Sequence, residues 1–185
     1  FEFLNAMLSS RDDWLDLAVR WDSGPAGGAS VFSPSFASWG IAREAVLGRM
    51  IPSGTTVSEL SPRANPRYEN KILSYLTSIN GELADRITIV QASSSPRRDY
   101  LFIRNRLMAV MELYGPVKSA AFAETLRSVT NVYGSPHVQH EGTTTTYSFS
   151  GEKTLVLVQL SRVGEHYDCT VHYYARSLFK ILLTE

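Results

Sequence analysis

FAETLRSVTNVYGSPHVQHEGTTTTYSFSGEKTLVLVQLSRVGEHYDCTVHYY, residues 122–174, reads as a helix, a tight stop and a three-strand meander. Phe122, Leu126, Val129 and Tyr133 fall at i, i+4, i+7 and i+11, one stripe of an α-helix. Gly134-Ser135-Pro136 ends it, because Gly tolerates a left-handed cap and Pro cannot continue a helix. Three β-rich runs follow at 144–149, 154–160 and 167–174, each bounded by short polar turns. The stretch is scaffold, with little chemistry on display.

Outward from it, the chain before residue 122 repeats the same plan loosely. A short helix is expected over 43–50, with Val46 and Met50 on one face, followed by a polar loop over 53–66 punctuated by Pro62 and Pro66. Runs at 72–79 and 83–90 flank Asn80-Gly81, a type I′ hairpin signal because both turn positions need positive φ. A second pair, 100–103 and 107–114, is joined by Arg104-Asn105-Arg106, and the polar segment 92–98 between the pairs is expected as a loop carrying Arg97 and Arg98. Further upstream, Ser10-Arg11-Asp12-Asp13 resembles a capping box, and Trp14, Leu17, Ala18 and Trp21 form an apolar helical stripe. Residues 23–38, rich in Gly, Ser, Pro and Ala, read as a linker. At the other end, 176–183 is apolar nearly all round and reads as a short buried helix.

The expected fold is therefore α+β: two α-β-β-β units with an additional N-terminal helix and a C-terminal helix. The units divide as 1–38 (helix and linker), 39–116 and 117–185, the last two packed together as one domain. Alternation within the strands favours one buried and one wetter sheet face.

Composition excludes several classes. Lys+Arg 18 balances Asp+Glu 18, so no basic footprint points to nucleic acid. A single cysteine, Cys169, rules out an intrachain disulfide framework and a multi-thiolate metal site. No apolar run approaches the roughly 20 residues that span a bilayer. The sequence opens on Phe1 without a recognisable signal peptide, so membrane attachment is expected only through an anchor preceding it.

Trp39-Gly40-Ile41-Ala42-Arg43-Glu44-Ala45-Val46 resembles the helix start of small bacterial envelope lipoprotein domains of the SmpA/BamE type. Leu126, then six residues, then Tyr133-Gly134-Ser135-Pro136 is similar to the helix end of many extracytoplasmic lipoproteins. Tyr100-Leu101-Phe102 with Leu107-Met108-Ala109-Val110 is similar to their hairpin. The resemblance spans roughly residues 39–183 as short scattered patterns. It departs where a Ser or Thr cap and a following Glu are replaced by Ala42 and Ala45, a loss of about 1 kcal/mol unless packing compensates. The resemblance implies a periplasmic or envelope protein that binds another protein, catalyses nothing and needs no cofactor.

Chemistry-bearing residues are few. His137, His140 and Glu141 form the densest set of metal-ligand types, read as a loop, yet a structural zinc site normally wants four protein ligands. His166, Cys169 and His172 cannot converge from one strand, since residues three apart face opposite ways and His166 and His172 lie about 20 Å apart. Cys169, sharing parity with Val171 and Tyr173, reads as a small buried hydrophobe. Hydrolase elbows, His-Glu-x-x-His and phosphate loops are missing, and Gly24-Pro25-Ala26-Gly27-Gly28 follows a helix. Arg97 and Arg98, with Arg63 and Arg67, read mainly as solvated loop cations.

Of Tyr173 and Tyr174, adjacent in one strand, one must leave the core side, and 143–146 is a β-prone run suited to a sheet edge. The expected function is protein–protein contact through Trp14, Trp21, Arg97, Arg98 and Tyr174. The alternatives are a small apolar ligand held between sheet and helices, or an enzyme centred on His137, His140 and Glu141.

Overall fold

A computed structural model of the chain describes residues 39–49, 51–60 and 87–176. The described chain runs α1 (Arg43–Arg49), β1 (Val57–Leu60), β2 (Ile87–Ala92), β3 (Arg97–Ile103), β4 (Arg106–Val117), α2 (Ser119–Tyr133), β5 (His137–Glu141), β6 (Thr144–Ser150), β7 (Thr154–Val163) and β8 (His166–Ala175). All strands join one antiparallel sheet in the order β1-β2-β3-β4-β8-β7-β6-β5. The architecture is α+β.

The expected pair of α-β-β-β units is corrected: each described half contributes four strands, and β4 pairs with β8 to make the halves continuous. The fourth strand in each half comes from a segment read as loop. In the first, 53–66 contains β1, whose Val-Ser-Glu-Leu run pairs with β2 at the sheet edge, where polar side chains are tolerated. In the second, His137–Glu141 is β5. The 92–98 loop also shrinks, because β3 begins at Arg97. Over 89–92, β2 is flanked by β1 and β3, while the strand expected at 72–79 and residues 83–86 of its expected partner lie outside the described residues. The Asn80-Gly81 turn, the N-terminal helix with Trp14 and Trp21, the linker and the helix expected beyond Arg176 lie outside the described residues.

Both described helices lie on one face of the sheet. Arg43 of α1 pairs with Glu59 of β1 at 2.6 Å, and Phe122 of α2 meets Tyr147 of β6 with ring centroids 5.7 Å apart. The α2 stripe is as the spacing predicts: Val129 is fully buried, with Phe122, Leu126 and Tyr133 packed against the core. Gly134 closes the helix at φ 82, its amide donating to Thr130 O at 2.9 Å.

α1 lacks a side-chain cap, and the β3–β4 turn replaces it. Arg104 and Asn105 both take positive φ, 49° and 64°, in a two-residue turn of type I′ character. That turn presents the Asn105 carbonyl to the Arg43 amide at 3.2 Å, while Asn105 Nδ2 donates to the Glu44 carboxylate at 3.2 Å. The orphan amide at the helix start is thus satisfied from a distant hairpin, which makes Ala42 tolerable. Gly40 N to Leu107 O and Leu107 N to Ile41 O fix the approach.

Thr154 links the halves: its Oγ1 accepts from Trp39 Nε1 at 3.0 Å and also hydrogen-bonds the Tyr133 hydroxyl. Next to it, a Cβ on Gly151 would stand 2.8 Å from the Tyr133 ring. G151A is expected to cost about 1–2 kcal/mol through this overpacking, measured by urea unfolding, and in a Y133A background the loss from the alanine at 151 should shrink to what its 3.1 Å approach to Thr154 O costs.

Candidate functional site

Register places two cross-sheet rows on opposite faces, each with one buried acid. On the helix face runs Val57, Ala92, Arg98, Glu112, Val171, Val158, Tyr147, Val138, one residue from every strand. On the other runs Ser58, Gln91, Asp99, Met111, His172, Leu157, Ser148, His137.

Glu112 is 2% exposed, and its two oxygens draw three donors. Arg98 Nε approaches Oε1 at 2.8 Å, while the Tyr114 and Tyr173 hydroxyls donate to Oε2 at 3.1 and 3.4 Å. Burial, then the charge of Glu112, pushes both phenols far above their ordinary range, so they remain donors. Burial first and Glu112 second raise the Cys169 thiol to about 11, which leaves it protonated and a poor nucleophile at neutral pH. A buried carboxylate held this way is a structural knot.

Asp99, 3% exposed, accepts from Gln91 Nε2 at 3.1 Å and pairs with Arg97 at 3.4 Å. His172, two positions along the same row, sits between Thr170 Oγ1 and Tyr174 OH, each 3.0 Å from a ring nitrogen. Burial lowers its pKa to about 4, so the imidazole is neutral at physiological pH.

These contacts reassign several expected site residues. Arg97 and Arg98 are strand residues engaged by Asp99 and Glu112 rather than loop cations. Tyr174 is buried at 6% exposure, so the expectation that it is an exposed contact aromatic is corrected. Tyr173 and Tyr174 do face opposite ways, but the central strands are buried on both faces. Among the described aromatics of β6 to β8 Tyr167, 40% exposed, is the outward one.

His137, His140 and Glu141 do not come together. In β5 His137 and Glu141 share one face and His140 takes the other, bonding Thr145 Oγ1 at 3.0 Å, and four strand residues hold His137 and Glu141 about 13 Å apart. Among the described residues no three His, Cys, Asp or Glu side chains are grouped to hold a metal ion. Sequence reading missed Glu112 and Asp99 altogether.

What β5 does offer is an edge. All five residues are exposed, and among the described residues the strand is the last of the sheet. Thr143 O accepts from Arg162 N at 3.0 Å, which fixes the hydrogen-bond parity of β6. Glu141, Gln139 and His137 therefore bond to β6, and the backbone groups of Val138 and His140 point outward, away from the sheet. Val138, 42% exposed, lies on the same face as Tyr167. No family model, curated protein or solved structure matches the chain.

Proposed function

We propose that this chain is a non-enzymatic protein–protein interaction and assembly module of the extracytoplasmic cell envelope. The observation that carries the interaction reading is the exposed edge β5, with outward backbone donors and acceptors at Val138 and His140. Such an edge recognises another extended chain through main-chain hydrogen bonds, with alternate side chains giving selectivity. The two buried acids support the same reading, because Glu112 is engaged by Arg98 and Asp99 by Arg97. The envelope location rests on the resemblance of residues 39–46, 100–110 and 126–136 to small lipoprotein domains.

Native mass spectrometry of the chain isolated gently from its host tests it. A stoichiometric protein complex is the expected species. A bare monomer, or a complex with a small molecule alone, would overturn the reading.

A further inference from the structure

We infer that β5 pairs with β5 of a second copy of this chain, antiparallel and centred on Gln139, joining two eight-stranded sheets edge to edge. The inference rests on the assembly reading above and names its partner.

Two independent features of β5 select this register. The first is hydrogen-bond parity. Val138 and His140 hold the outward backbone groups, so an added strand must place its own outward residues opposite them. Centring on Gln139 sets Val138 opposite the second copy's His140, and His140 opposite its Val138. Both are then hydrogen-bonded pairs, and the Gln139 pair between them is not. A shift of the register by one residue breaks this match.

The second is side-chain complementarity. In the segment His-Val-Gln-His-Glu the same register places His137 opposite Glu141 of the other copy, twice by symmetry. Both are non-hydrogen-bonded positions, where facing side chains come closest. Each end of the pairing thus sets an imidazole against a carboxylate, and the centre sets one carboxamide against another. Parallel pairing would place like residues together and lose both contacts. Among the described residues no strand or helix is paired to this edge: Pro136 precedes the strand, no proline lies within it, and Gly142-Thr143 turns the chain away at its far end. The opposite edge differs, because Glu59 of β1 is already paired with Arg43.

Five residues a side make a small interface, so the dimer belongs to the weak, concentration-dependent class. Sedimentation equilibrium on the full chain over a wide concentration range tests the inference. H137E sets carboxylate against carboxylate at both ends and is expected to lower the association constant roughly tenfold. The double variant H137E/E141K sets a carboxylate against an ammonium at both ends and should return it to the wild-type value or above. V138P removes an outward amide that β6 does not use, so the fold should persist, checked by an unchanged melting temperature, while dimer is lost. A wild-type chain that stays monomeric, or a dimer indifferent to V138P and H137E, overturns the self-pairing. A monomer that captures a different protein in a V138P-sensitive manner also overturns it, while leaving the assembly reading intact.

Discussion

R98A is expected to lose about 3 kcal/mol of folding free energy, the low end of the cost of stripping one partner from a buried ion pair. The Arg98 side chain is 26% exposed and Glu112 only 3%, so the pair is asymmetric: the acid lies in the core and the base reaches solvent. Removing Arg98 leaves a carboxylate that can neither rehydrate nor leave. Tyr114 and Tyr173 still donate to Oε2, but Oε1 loses its 2.8 Å partner. Truncating the acid as well removes the stranded charge, so R98M/E112L is expected to recover most of the loss, because apolar side chains of similar volume often replace a buried pair at little cost. Urea denaturation of wild type, R98A, R98M, E112L and the double variant measures this. Additive losses in the double variant would mean that Arg98 acts through packing of its aliphatic stem and that the pair is incidental.

That pair also shows where sequence reading stopped. The helix 119–133, its glycine stop, the Asn105 turn and the three C-terminal strands were legible because each depends on local spacing. The partner of Glu112 was not. β3 and β4 leave the Arg104-Asn105 turn with Ile103 opposite Arg106, a register that continued unbroken would set Arg97 against Glu112. A bulge between Leu101 and Phe102 shifts it by one residue and delivers Arg98 instead, on the face of Glu112, while Arg97 turns to the other. No propensity marks that bulge, since Leu107-Met108-Ala109-Val110 is uniformly apolar. The edge strands were missed for a related reason. Val57–Leu60 and His137–Glu141 lack an apolar alternation because no core demands one from a strand at the rim. Cys169 was the easier case: the parity it shares with Val171 and Tyr173 follows from β8 alone, and it is buried at 1% exposure.

Acidification should destabilise the fold through His172. In the folded chain burial lowers this imidazole to about 4, against an ordinary value of 6.5. Between these values the unfolded chain binds more protons than the folded one, so stability falls as pH falls. The contribution is fully present above pH 6.5 and is lost progressively as pH drops through that value toward 4. From pH 7 to pH 5 it amounts to about 2 kcal/mol. Its neighbours across the sheet, Met111 and Leu157, are apolar and offer no counter-charge. Thr170 and Tyr174 hydroxyls can each donate or accept, so they satisfy the neutral ring without favouring the cation. The pH 5–7 window avoids most carboxylate titration, and subtracting H172Q from wild type removes what remains. Gln keeps a donor and an acceptor near the same hydroxyls but has no proton to take up. The wild-type unfolding free energy should therefore fall across this window by about 2 kcal/mol more than that of H172Q. Parallel curves would mean that the folded chain protonates His172 as readily as the unfolded one, and the neutral imidazole between Thr170 and Tyr174 would have to be abandoned.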